Sequence, residues 1–565
     1  MRGRLQQGRR QLVAGPWLAA ALATAVYLLT LDRSVSWWDC GEFIATGWTL
    51  GVGHPPGAPT YQLLAHLAML LSMGDTAWVA PLSNAVSALC AGATVGLLFA
   101  TMRLLGCRQA GAWTGSLCYL FCHTAWFSAV ESEVYAMAML FCSLLFYLAL
   151  RFRRDGNPRL LPLMGLLAGL GAGVHMLTLL ALPASMLLAL GGGRLRRCAR
   201  LLPAVALFFA LGTSTYAIIP IRAAASPSIN EYGSGFAAYV GRARYEHAPL
   251  YPRMWRQDDS DNWPRWSAGL DGLAGNAVYT VVYQLGYMYG RYLLDNFGGR
   301  VKTDGHGLAL YVLPLVLAAL GVWGHFRRRR RDAWPVLLLL LFGGPLLNLY
   351  LNHPCFEPRE RDYVYVLSFY AVAVWIGAGA DELLRRCPPR LKAAAPLVLA
   401  AAPLAMATGN WSDHDRSHCH SVHDIAMAHL QPCQPGALLV TLGDNETFPL
   451  WYLQQVERVR TDVEVVNIGL AGWGAVRDSL ASCEGRRPVY MSHYCARRLA
   501  PLYGSRMRCE GFCWRLLPEG ADTSALPYPP SAEWHIASGE YVDPVSRQFL
   551  EIWQANTVQG RLFSD

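Results

Sequence analysis

Apolar runs long enough to cross a bilayer recur along this 565-residue chain, with short arginine-rich loops between them. No other feature limits the fold as strongly, because about 20 consecutive apolar residues span the hydrocarbon core as a helix. The arginines cluster at Arg2/Arg4/Arg9/Arg10, Arg151/Arg153/Arg154/Arg159, Arg194/Arg196/Arg197/Arg200, Arg327 to Arg331, and Arg385/Arg386/Arg390 with Lys392. Short basic loops belong on the cytoplasmic side of a membrane. With 53% hydrophobic and 15% charged residues, the chain is too apolar for a soluble protein of its length. Its net charge of +9 therefore marks topology, and no nucleic-acid partner is expected.

Requiring every arginine cluster to face the cytoplasm yields about eleven transmembrane helices. They are expected at about 12–31, 82–104, 111–129, 134–150, 160–174, 176–190, 201–219, 307–325, 335–351, 364–380 and 391–408. The first is read as a retained span with a cytoplasmic N-terminus. The stretch 60–73 is short and holds Gln62 and His66, and a crossing there would carry the 151–159 cluster outside. It is expected to lie on the outer interface. Residues 1–408 then form a transmembrane catalytic domain with outer loops 32–81 and 220–306. Residues 409–565 form a soluble domain on the outer side.

That C-terminal domain reads as α/β. Strand-like 437–443, a capped helix over 444–458 and strand-like 463–469 make one β–α–β unit. The Gly443-Asp444-Asn445-Glu446 turn lacks a phosphate cradle, so a structural or acceptor-docking role is expected ahead of a catalytic one. Cys419, Cys433, Cys483, Cys495, Cys509 and Cys513 are an even six in an outer compartment, which suggests disulfides of undetermined pairing.

The polar residues gather on the outer side. Asp39 and Glu42, three apart, share one face if their segment is helical. Carboxylates beside a membrane carry a desolvation cost, so they either cap the helix or do chemistry. His54 sits in the Gly53-His54-Pro55-Pro56-Gly57 turn, and Glu131 and Glu133 precede the next span. His175 lies at a hairpin tip, Arg222 follows Pro220, and Arg359, Arg361 and Asp362 fall in one charged loop. Each also has a bland reading. His54 shapes its turn, Glu131 and Glu133 cap a span, Arg222 snorkels and the charged loop pairs with itself. Together they form a kit: a carboxylate to deprotonate a hydroxyl, and Arg222, Arg359 and Arg361 to hold a phosphate. This suits sugar transfer from a lipid phosphate. The span interiors are nearly free of charge, which argues against a translocation path.

The stretches WWDCGEFIATGWTLGVGHPPGAPTY, AVESEVYAMAMLF, GVHMLTLLALP, PIRAAASPSINE, FEPRERDYVYVLSFYAVAVWIGAGADEL and GDNETFPLWYLQQVERVRTDVEVVNIG carry a resemblance. The chain resembles the GT-C superfamily of polytopic glycosyltransferases that use polyprenyl-phosphate sugars. More narrowly, it is similar to a bacterial membrane family related to the animal O-mannosyltransferase of plexin-type IPT domains. The resemblance implies a GT-C-like fold, Asp39 as the catalytic carboxylate with Glu42 next, and inverting transfer. It implies a polyprenyl-phosphate donor, with mannose the expected sugar, in a bacterial inner membrane. It also allows a divalent metal, Mg or Mn, on Glu131 and Glu133 with Asp39. The expected acceptor is a Ser or Thr hydroxyl of an exported protein. The animal relative carries helical repeats after its membrane part, whereas this tail is short and Cys-rich. A glycolipid or surface-polysaccharide acceptor therefore stays open, as does a lipid-linked sugar transporter.

Overall fold

The computed structural model describes residues 2–191, 195–243, 245, 247–253, 263–301, 308–355, 359–391, 394–483, 486–522 and 544–559. The membrane part is a bundle built from α1 (Arg2–Leu29), α4 (Val79–Leu104), α5 (Gln109–Leu120), α6 (Val134–Asp155), α7 (Leu160–Ala172), α8 (Leu195–Thr213), α9 (Leu313–Gly343), α10 (Val366–Arg386) and α11 (Ala395–His414). Two short helices, α2 (Cys40–Thr49) and α3 (Pro59–Met69), lie between α1 and α4. Glycines let the principal pairs approach closely. A Cβ on Gly92 of α4 would stand 2.0 Å from Thr24 Oγ1 of α1. One on Gly321 of α9 would stand 1.8 Å from the Trp375 carbonyl oxygen of α10.

Among the described residues, five helical stretches are long and apolar enough to cross a membrane: Thr76–Leu104, Val134–Asp155, Cys198–Ala224, Leu313–Leu351 and Asp362–Arg386. Ala14–Leu29, Leu160–Ala172 and Met176–Leu190 are apolar but shorter. The span expected at 111–129 is interrupted, since α5 ends at Leu120 and a five-residue helix, His123–Phe127, follows. Side chains take over the backbone groups there. Asn410 donates to the Phe121 carbonyl at 2.8 Å, and Asn296 accepts from the Thr124 N–H at 2.9 Å. Inside α9, Arg329 has non-helical dihedrals (φ −140°, ψ 49°), so the helix breaks at the arginine run that separates the two expected spans.

The basic loops meet at one end of the bundle. Arg328 and Arg386 pair with Glu382 at 2.8 and 2.7 Å, Arg153 pairs with Asp332 at 2.5 Å, and Arg329 donates to the Leu105 carbonyl at 2.8 Å. The expected β–α–β unit is present as β1 (Leu438–Thr441), α13 (Asp444–Gln455) and β2 (Glu464–Asn467), after α12 (Ser421–Leu430). With β3 (Val489–Ser492), β4 (Met507–Glu510) and β5 (Cys513–Leu516) it forms a sheet of order β2-β1-β3-β5-β4. β1 runs parallel to β2 and β3, and β5 is antiparallel to β3 and β4. Period-two alternation splits the sheet between two cores. Leu439 and Tyr490 join the core of the membrane bundle, together with Leu450 and Leu453 of α13. Leu438, Val440 and Met491 join a separate one. Among the described residues no disulfide joins the tail cysteines. Cys433 and Cys513 instead both donate to the His429 carbonyl, at 3.4 and 3.2 Å.

Candidate functional site

The site begins where α1 ends. Buried Asp32 accepts from the Ser34 N–H at 2.9 Å and the Ser36 hydroxyl at 2.6 Å, folding the chain into a turn before Trp37. Trp37 is held by the C-terminal helix α14 (Pro544–Gln559). Its indole N–H donates to Ser546 at 2.9 Å, and its ring stacks on Phe549 at 5.0 Å. Trp38 adopts a left-handed conformation, φ +59°, uncommon for a bulky residue. Its N–H donates to Asn445 Oδ1 at 2.8 Å, which holds that conformation. Asp39 then opens α2. It makes no side-chain cap, and among the described residues its half-buried carboxylate accepts no hydrogen bond.

Glu42 turns inward instead of joining Asp39 as a second free carboxylate. It is 1% exposed, accepts the His54 N–H at 2.6 Å and pairs with His54 Nδ1. Burial works against a charged His54. The charge and hydrogen bond of Glu42, then the charges of Asp39 and Asp444, outweigh it and raise the imidazole to about 10. Glu42 thus anchors the Gly-His-Pro-Pro-Gly turn. The His54 ring stacks parallel to Phe448 of α13, 6.4 Å between centroids.

Arg359 is the cation at the centre. Its side chain is 11% exposed, and its guanidinium lies 4.3 Å from the Tyr363 ring centroid and 5.1 Å from that of Trp38. Such a sandwich fixes the planar fork while leaving its edge N–H groups able to meet an anion. Nη1 stands 3.5 Å from Glu133 Oε1. Burial opposes the charge of Arg359, but Tyr363, Glu133, Glu131 and Asp39 outweigh it and hold it protonated. Glu133 caps α6 through the Val134 N–H at 3.2 Å. Burial, then the charge of Asp39, lift its carboxyl to about 8 against the pull of Arg359. His175 accepts the Leu177 N–H at 3.1 Å and rests on Tyr135, which rests on Tyr363. Burial, then Arg242 and His54, lower it to about 4, so it is neutral.

The Gly443-Asp444-Asn445-Glu446 turn completes the ring. Gly443 takes φ +85° between β1 and α13. Glu446 faces back to the sheet, accepting from the Leu442 N–H at 3.1 Å, the Ser492 hydroxyl at 2.5 Å and the Tyr494 N–H at 3.1 Å. Asp444 and Asn445 are left toward Asp39. The protein around Asp444, then the charge of Asp39, lift its carboxyl to about 6, although its surface stays open to water.

The structure thus brings together Asp39, Glu42 with His54, Glu133, Arg359 and His175. Arg222 is elsewhere. Its Nε and Nη2 donate to the Leu50 and Thr49 carbonyls at 2.7 and 3.1 Å, capping the end of α2 opposite Asp39, about 15 Å along a ten-residue helix. Glu131 forms a buried pair with Arg416 at 3.0 Å. Arg361 donates to the Tyr363 hydroxyl at 2.7 Å, and Asp362 accepts from Thr124 Oγ1 at 2.5 Å, so both flank the centre and secure its loop. The metal set of Glu131 and Glu133 with Asp39 does not fit, because Arg416 and Arg359 engage the two glutamates. Among the described residues no three His, Cys, Asp or Glu converge as ligands. Trp38, Tyr363 and Arg416 were not singled out from the sequence, and the Gly443-Asp444-Asn445-Glu446 turn was expected to have a structural or acceptor-docking role ahead of a catalytic one.

Comparison with known proteins gives two family-model matches and several relatives. The family model of the protein O-mannosyl-transferase TMEM260 N-terminal domain matches residues 39–191, and that of TMEM260-associated domain 2 matches residues 422–473. The first match begins at Asp39, and the second contains Asp444 and Asn445. The mouse protein O-mannosyl-transferase TMEM260 is 35% identical over 149 residues, covering 25% of this chain and 21% of that protein. The Dictyostelium discoideum protein O-mannosyl-transferase tmem260 is 22% identical over 500 residues, covering 80% of this chain and 56% of that protein. The chain therefore spans about a fifth and about half of the length of these curated relatives. The crystal structure of ArnT from Cupriavidus metallidurans bound to undecaprenyl phosphate superposes with a TM-score of 0.53 at 14% identity, covering 86% of this chain and 94% of that one. The fold is that of ArnT, and the chain is similar in sequence to proteins named as TMEM260 O-mannosyl-transferases.

Proposed function

We propose that this chain is a membrane glycosyltransferase that moves a mannosyl group from a polyprenyl-phosphate carrier to a Ser or Thr hydroxyl of an exported protein. One observation carries the reading. Asp39, whose carboxylate accepts no hydrogen bond among the described residues, lies within the electrostatic reach of Arg359, whose guanidinium rests against the Trp38 and Tyr363 rings. Asp39 accepts the hydroxyl proton as the oxygen attacks the anomeric carbon. The bond from that carbon to the carrier phosphate breaks, and the phosphate leaves with the electron pair. Arg359 meets the developing negative charge. Attack opposite the leaving group inverts the anomeric carbon. The carrier class is supported by the ArnT neighbour, described as bound to undecaprenyl phosphate, and the reaction class by relatives named as protein O-mannosyl-transferases.

The reading includes about eleven spans, a cytoplasmic basic end and a periplasmic tail in a bacterial inner membrane, with 1–408 as the membrane domain and 409–565 as the soluble one. The test supplies purified protein with labelled polyprenyl-phosphate mannose and, separately, exported proteins and membrane lipids. Label on protein is the expected result. Label on lipid alone would replace the acceptor with a glycolipid. Donor crossing sealed liposomes without any transfer would replace the enzyme with a transporter.

A further inference from the structure

We propose that the C-terminal segment completes the catalytic centre: Asn445 aims Asp39 through the Trp38 backbone, and Asp444 stands as a second carboxylate at the reacting hydroxyl. The inference rests on the reading of Asp39 as the base. The interlock between the tail and the Asp39 loop carries it. Asn445 Oδ1 receives the N–H of Trp38, 407 positions away in the chain and directly before Asp39. That N–H belongs to a left-handed tryptophan, a conformation that needs an external hold. Three further residues of the loop also meet the C-terminal segment. A Cβ on Gly41 would stand 2.5 Å from the Phe448 carbonyl oxygen, His54 stacks on Phe448, and Trp37 is bound by Ser546 and Phe549.

The tail is thus packed against the reacting loop at four points, Trp37, Trp38, Gly41 and His54. Glu446, the residue after Asn445, has both carboxylate oxygens engaged, which fixes the N-terminus of α13 and with it Asp444 and Asn445. Neither Asp39 nor Asp444 accepts a hydrogen bond among the described residues, so both carboxylates are available to one hydroxyl-bearing ligand. Asn445 is a positioning residue, acting only through Trp38. Asp444 precedes Asn445 as Asp39 follows Trp38, so the Trp38–Asn445 hydrogen bond brings the two carboxylates to neighbouring positions, and the charge of Asp39 raises the proton affinity of Asp444.

The experiment uses the full-length protein in detergent with the labelled donor, comparing wild type with Asp39→Asn, Asn445→Ala, Asn445→Asp and Asp444→Asn. Asn445→Ala is expected to lower kcat about 10²-fold with the donor KM nearly unchanged, as a misaimed group does. Asn445→Asp restores the acceptor oxygen and is expected to recover most of that rate at alkaline pH, with the acid limb moved upward by the added charge. Asp444→Asn removes a like charge, so the acid limb of kcat/KM moves to lower pH. Role by role, the profile separates chemistry from packing, because a purely structural contact would change unfolding temperature and leave that limb in place. Wild-type kcat and pH profile in Asn445→Ala and Asp444→Asn, beside an inactive Asp39→Asn, would overturn the inference alone. An active Asp39→Asn would overturn the underlying reading and the inference with it. If Asn445→Ala does not fold, Asn445→Asp and Asp444→Asn carry the same decision.

Discussion

At the scale of single residues, the two carboxylates of the Asp39 loop divide into different jobs. Glu42 is buried and paired, so its loss leaves His54 without its counter-charge. Glu42→Gln is expected to destabilise the protein by about 3–5 kcal/mol at pH 6, as removing one partner of a buried pair does. The sign of the pH dependence follows from His54, whose value rises from the ordinary 6.5 to about 10 on folding. The stabilisation is fully present below 6.5 and is lost as pH rises toward 10. Thermal unfolding in detergent should therefore show a smaller gap between wild type and Glu42→Gln at pH 10 than at pH 6. Arg359 sits against two rings, so Arg359→Lys keeps the charge and loses the fixed plane. We expect kcat/KM to fall about 10²-fold or more in donor titrations, the size of effect seen when one preorganised donor is removed. The sequence pointed to Asp39, Glu42 and Arg359 as polar residues at an outer surface. It could not tell a free carboxylate from a paired one, because helical spacing places two residues on one face without saying which way the turn after them folds back.

At the scale of elements, the site is a junction between α2 and α13. Gly41 is where they touch, and a methyl group there meets the Phe448 carbonyl at 2.5 Å. Gly41→Ala is expected to cost about 1–3 kcal/mol by overpacking and to lower transfer as α13 shifts, both measurable on one preparation. Arg222 explains a different part of the same helix. It satisfies carbonyls at the C-terminal end of α2, where a cation also complements the helix dipole. The β–α–β unit was legible in the sequence because strand and helix periods alternate there at ordinary lengths. The docking of α13 on α2 was not. Asn445 and Trp38 are 407 residues apart, and no local pattern encodes a contact of that range. The same holds for Glu131, whose partner Arg416 lies 285 residues on.

At the scale of the whole molecule, charge sorts the two ends of the bundle. The arginine loops meet one another through Glu382, Asp332 and the Leu105 carbonyl, while Asp39, Glu133, Arg359 and Asp444 meet at the site. The basic loops were legible because arginine cost in a membrane is strongly one-sided. The helix count was less so, since the break after Leu120 depends on Asn296 and Asn410, which arrive from distant segments. The proposed orientation predicts that Asp75→Cys reacts with a membrane-impermeant thiol reagent in intact spheroplasts, and that Arg390→Cys reacts only after lysis. Reversed labelling would invert the topology. The role of Asp39 as the base is decided by the turnover of purified Asp39→Asn beside wild type, with polyprenyl-phosphate mannose and an exported protein acceptor. The variant is expected to fold with an unchanged unfolding temperature and to turn over about 10²–10⁴-fold more slowly, the loss expected when a general base is removed. Wild-type turnover in the folded variant would contradict it.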